Sequence, residues 1–203
     1  MRYLKSYKIF ESLTDNQFFK TKEEIQNWLD KFAANGENII INDDLTVDAN
    51  FITIEKKNLN YIPIQFGEVD TFICSENNLT SLKGCPYKTN IFFSCARNKL
   101  TSLQYCPTGN IHTFNCSFNN ILSTKYLSSE IWTLYCDKNP ISEILNILPS
   151  SKRVKFADYL NEYDVIIDNK IYKERMKEVF YMMDIDSILL SVLDHLENYI
   201  IID

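Results

Sequence analysis

Six cysteines, two histidines and two acidic pairs are the side chains through which this 203-residue chain could do chemistry. A cysteine thiolate attacks electrophiles when a histidine beside it takes its proton, and cysteine with histidine can hold zinc. The spacing supports neither. No Cys-x-x-Cys occurs, the only histidines, His112 and His195, lie far apart, and His112, though close to Cys116 in sequence, is not read as its base. Asp43-Asp44 and the Asp184/Asp186 pair fall where turns and helices begin, positions at which aspartate serves the backbone. The sequence also carries no G-x-G-x-x-G, Walker-type loop, H-E-x-x-H or G-x-S-x-G. No catalytic residue, metal ligand or cofactor is therefore assigned.

The cysteines instead mark a period. Cys74, Cys95, Cys116 and Cys136 follow one another at intervals of 21, 21 and 20 residues, and Cys85 and Cys106 form a second column 21 apart. Around them the chain reads Val69-x-x-Phe72-x-Cys74-x-x-Asn77-x-Leu79, Asn90-x-x-Phe93-x-Cys95-x-x-Asn98-x-Leu100, Ile111-x-x-Phe114-x-Cys116-x-x-Asn119-x-Ile121 and Ile131-x-x-Leu134-x-Cys136-x-x-Asn139-x-Ile141. A worn fifth copy, Ala49-x-x-Ile52-x-Ile54, precedes them. This is the leucine-rich-repeat pattern L-x-x-L-x-L-x-x-N-x-L with cysteine in the third apolar slot. Asn90 stands in the first slot of its unit with Ile91 one step late, so that rung should be irregular. The column Asn77, Asn98, Asn119 and Asn139 is expected to satisfy backbone groups at the bend after each strand.

The elements that position these columns follow from the period. The expected fold is an α/β repeat: a short solenoid of about five units over 39–149, with a parallel concave sheet and an extended back, since the stretches between strands are too short for helices. An N-terminal leader and capping helix should occupy 1–38. There Thr21-Lys22-Glu23-Glu24 is a capping box, and Ile25, Trp28, Leu29 and Phe32 form an apolar stripe that Asn35-Gly36 stops. After Pro149 helical periodicity takes over, and 150–203 should form a helical C-terminal cap with a closing strand at Asn198–Ile202.

A net charge of −6 disfavours nucleic acid and anionic membranes. The chain has no apolar run long enough to span a bilayer, and its first residues lack the core of a secretory signal. The expected place is the cytoplasm, where thiols stay reduced, so Cys74, Cys95, Cys116 and Cys136 are read as core residues without disulfides.

Function should then lie on the face of the sheet turned from the core. Alternation of side chains aims Phe51, Ile73, Phe92, Ser94, Asn115 and Tyr135 outward, with Arg97, Phe118 and Asp137 at the strand ends. Aromatic residues with an arginine on a polar sheet suit a protein-binding hot spot.

Asn78-Leu-Thr-Ser-Leu-Lys-Gly-Cys-Pro86 and Phe114-Asn-Cys-Ser-Phe-Asn-Asn120 resemble the short, cysteine-bearing leucine-rich repeats encoded by tailed bacteriophages. The resemblance implies a right-handed solenoid for protein recognition without catalytic activity. Met1–Ser12 is similar to leaders of proteins packaged into phage heads, so a virion-associated structural role is the first alternative. An enzyme with its site among the C-terminal helices is the second.

Overall fold

A computed structural model describes residues 18–128 and 130–203. The Met1–Ser12 leader lies outside them. The structure opens on helix α1 (Lys22–Phe32), held at its start by the complete Thr21/Glu24 capping box, with Ile25, Trp28 and Leu29 buried. Asn35-Gly36 does not simply stop this helix. It lies within β1 (Ala34–Glu37), which runs antiparallel to β3 (Thr46–Thr53), as does β2 (Ile40–Ile41).

From β3 onward the strands are parallel and stack in sequence order: β4 (Gln65–Ile73), β5 (Phe92–Ser94), β6 (Ile111–Asn115) and β7 (Ile131–Tyr135). The result is a parallel-strand β-solenoid of about four turns, with neither helix nor strand between β4 and β5 or between β5 and β6. Its core is built in columns. Ile52, Phe72, Phe93, Phe114 and Leu134 are in register across the strands. Phe72 and Phe93 stack at 6.0 Å between ring centroids, and Phe93 and Phe114 at 5.2 Å. Rungs repeat at roughly 4.8 Å, so identical aromatic slots stack almost of necessity.

The Asn column is the polar counterpart. Asn98 Nδ2 donates to the carbonyls of Cys74 and Cys95, both at 3.0 Å, while its Oδ1 accepts from the Leu79 amide at 2.9 Å. Asn119 repeats this with Cys95, Cys116 and Leu100, and Asn139 with Cys116, Cys136 and Ile121. Asn77 does the same for Ile54, Cys74, Lys57 and Leu59. Each side chain thus ties its own turn to the one before, at a bend where the backbone cannot pair with itself.

Each bend also needs a left-handed residue, and none is glycine. Lys56, Glu76, Arg97, Phe118 and Lys138 have φ of 56, 54, 55, 58 and 58°. Glycine is required elsewhere. Gly84, at φ +91°, passes so close to the Ile62 and Ile64 carbonyls that a Cβ would meet them at 2.7 and 2.6 Å.

Beyond β7 come α2 (Pro140–Leu145), α3 (Ser150–Glu162) and α4 (Lys173–Met182). The last apolar stripe forms a 3-10 helix, Ser187–His195, rather than an α-helix. A second sheet, β8 (Ile166–Ile167), β9 (Lys170–Tyr172) and β10 (Ile200–Ile202), is ordered β10-β9-β8. It supplies the closing strand, paired parallel to β9. One apolar core runs unbroken from Ile25 through the phenylalanine column to Phe156, Phe180 and Tyr199. The C-terminal unit reads the last turn directly: Thr124 Oγ1 donates to Asn161 Oδ1 at 2.9 Å, and Asn161 Nδ2 donates to the Thr124 carbonyl at 3.0 Å. Tyr199 Oη donates to the Leu122 carbonyl at 2.8 Å.

Candidate binding face

Side chains alternate along each strand, and register carries that alternation across the sheet. Phe51, Thr71, Phe92, Thr113 and Thr133 therefore share one outward column, and Thr53, Ile73, Ser94, Asn115 and Tyr135 the next. Exposure along them is uneven. Tyr135 is exposed, whereas Phe51, Ile73, Phe92 and Asn115 are half-buried. Ser94 is buried, its hydroxyl 2.6 Å from that of Ser75, so it has no free surface to offer. The third column behaves likewise at its centre: Ser75, Ala96 and Ser117 are buried and only the end residue Asp137 is exposed. Small side chains on a pleated sheet do not reach past their larger neighbours.

Arg97 and Phe118 stand at the bends rather than on the sheet, and they meet each other. The Arg97 guanidinium lies 4.1 Å from the Phe118 ring centroid. Lys56 and Glu76, two turns and one turn before Arg97 in the same left-handed column, form an ion pair at 3.6 Å. Two pairs of neighbouring bends are thus joined by exposed contacts, each worth a fraction of a kcal/mol.

The largest exposed side chain of the sheet escaped the sequence reading. Trp132 is 73% exposed and packs its indole against the His112 imidazole at 5.4 Å between centroids. Ile91, 55% exposed, lies beside them on β5's approach. These residues follow the first apolar slot, and writing Asp70, Ile91, His112 and Trp132 as a column would have found them. Ile91 needed the structure. Three residues separate Lys88 from Phe92 where two separate their partners Glu68 and Thr71, so the rung bulges. Thr89 is wholly buried in the apolar interior, and the expected occupant Ile91 is pushed outward. Thr89 Oγ1 is left buried without a hydrogen bond, while Asn90 Nδ2 donates to Asp70 Oδ1 at 2.8 Å.

The thiols face the other way. All six cysteines are free, and Cys74, Cys85, Cys95, Cys116 and Cys136 are buried. Cys74 Sγ donates to the Ser94 carbonyl at 3.4 Å and Cys116 Sγ to the Tyr135 carbonyl at 3.5 Å, each on the next rung. The half-buried Cys106 donates to the Tyr126 carbonyl at 2.7 Å. Burial pushes the Cys106 thiol up to about 12 and Cys136 to about 11, and holds Cys85, Cys95 and Cys116 well above the ordinary thiol range. These sulfurs are protonated donors at neutral pH and poor nucleophiles. Among the described residues no group of three or more His, Cys, Asp or Glu is placed to hold a metal ion, and no helix is long and apolar enough to cross a membrane.

Compared with family models, curated proteins and solved structures, the chain matches none.

Proposed function

We propose that the chain is a non-enzymatic protein-interaction module of the leucine-rich-repeat type, which binds a protein partner through the outward, concave face of its sheet. In this reading α1 and the C-terminal unit cap the two ends of the solenoid core. The observation that carries it is the unequal partition of side chains. The Asn column and five of the six thiols are buried in the interior, whereas Trp132 and Tyr135, 73% and 49% exposed, both project from β7. Tryptophan, tyrosine and arginine dominate the energetics of protein interfaces, and a rigid parallel sheet holds such residues at fixed spacing without ordering cost on binding.

The test is capture of partners from a lysate of cells that produce the protein, by the parent and by a variant carrying Ile73→Asp, Phe92→Asp and Tyr135→Asp. The expected result is loss of the captured protein with an unchanged circular dichroism spectrum. A folded variant that keeps every partner would remove the face from consideration.

A further inference from the structure

We propose that the strip Ile91–His112–Trp132 is a subsite for a cationic side chain, taking an arginine from a basic segment of the partner protein. This rests on the reading of the sheet face as the binding surface and names what that face recognises at its Trp132 end.

Three features define the strip. Its apolar and aromatic groups are exposed on three successive strand approaches, spanning about 10 Å at the usual rung spacing. His112 lies against Trp132 with planes inclined by 44°, and the indole remains 73% exposed. A carboxylate stands near each end. Asp70 lies beside Ile91 at one end, where its backbone carbonyl accepts the Ile91 amide at 2.9 Å, and Glu130 stands two residues before Trp132 at the other. Among the described residues neither carboxylate has a lysine or arginine within ion-pair distance.

Several other rings carry a cation from the chain itself, although among the described residues the exposed Tyr61, Tyr135 and Tyr181 do not. Arg97 covers Phe118, Lys125 covers Tyr126 and Arg175 covers Tyr172. Among the described residues no such cation covers Trp132, the side chain whose π face attracts cations best. An exposed indole with the Glu130 carboxylate two residues away, in a strip that Asp70 borders at its far end, complements a planar guanidinium. Its face can stack on the ring while its edge donates two hydrogen bonds to Glu130. Arginine suits the site better than lysine for that reason, and the net charge of −6 draws basic segments toward it.

The probe is a short blocked glycine–arginine peptide, with lysine and glutamate versions as comparisons. Trp28 is buried, so a change in tryptophan emission reports Trp132. The expected result is saturable quenching by the arginine peptide, weaker binding of the lysine peptide, none of the glutamate peptide, and a decline as salt rises. Glu130→Gln should weaken arginine binding about two- to fivefold. Trp132→Ala, followed by calorimetry, should weaken it about tenfold or more, and Trp132→Phe should retain part of it. Equal affinity for the arginine and glutamate peptides overturns the proposal. So does arginine binding that is unchanged in a Trp132→Ala protein with the parent's unfolding midpoint. The broader reading of the face survives either result if the Ile73/Phe92/Tyr135 variant still loses its partner.

Discussion

Replacing Asn98 by alanine is the sharpest perturbation of the solenoid. The side chain makes four hydrogen bonds, donating to the Cys74, Cys95 and Ala96 carbonyls at 3.0, 3.0 and 3.3 Å and accepting from the Leu79 amide at 2.9 Å. Alanine strips the Leu79 N–H of its partner, while the Cys74 and Cys95 carbonyls keep their bonds from Asn77 Nδ2 and Asn119 Nδ2. A buried polar group stripped of its partner costs about 1–3 kcal/mol. One stripped group therefore sets the expected loss at about 1–3 kcal/mol. The sequence alone leads to the same figure, although it does not reveal that one side chain serves two turns. Against a typical total of about 5–15 kcal/mol this is a large fraction. Urea denaturation followed by circular dichroism gives the midpoint and the slope, and the slope should not change. Asn78→Ala is the control: the side chain of that half-buried residue donates to the Asn58 side chain, its backbone bond to Leu59 is kept, and its loss should cost under about 1 kcal/mol. A loss below about 1 kcal/mol for Asn98→Ala would refute the claim that the Asn column ties the turns together.

Three further outcomes are expected. Thr89→Val keeps the shape of a wholly buried side chain and removes a hydroxyl without a partner, so it should stabilise by about 1 kcal/mol; destabilisation would mean the hydroxyl is satisfied. The buried thiols make the protein sensitive to alkali. Their folded values lie above the ordinary 9.0, so their contribution is fully present below pH 9 and is lost as pH rises toward 11 and 12. Each costs about 1.4 kcal/mol per pH unit across that window. Cys136→Val should therefore lose less stability between pH 9 and 11 than the parent, and parallel curves would contradict this. Reductant should leave the melting temperature unchanged, because all six cysteines are free thiols; a large drop would expose a disulfide.

Much of the solenoid was legible because its signals are redundant. Four copies of one motif fix register, core columns and bends together, and the capping box at Thr21 and Glu24 announces α1 without help from tertiary structure. The C-terminal sheet was harder. Strands of two or three residues such as Ile166–Ile167 and Lys170–Tyr172 are too short to show a period, and Asp168 at φ 56° reads equally as a turn into a helix. The irregular rung misled in a different way. With Asn90 in the slot, Ile91 is the nearest apolar candidate, but the bulge places Thr89 inward, and only pairing with both neighbours determines that. On the outward face the alternation identified direction but not exposure. Ser94 faces outward and is buried because its neighbours are longer, whereas Trp132 was passed over because it precedes the columns on which attention falls.

The central claim is that partners bind the sheet face, and a photocrosslinking residue tests it most directly. One protein carries the crosslinker at Tyr135 on β7, and another at Tyr181, which is 85% exposed on α4. The account predicts a crosslinked partner from position 135 that unlabelled protein competes away, and none from position 181. A partner captured equally at both positions, or only at 181, would contradict it.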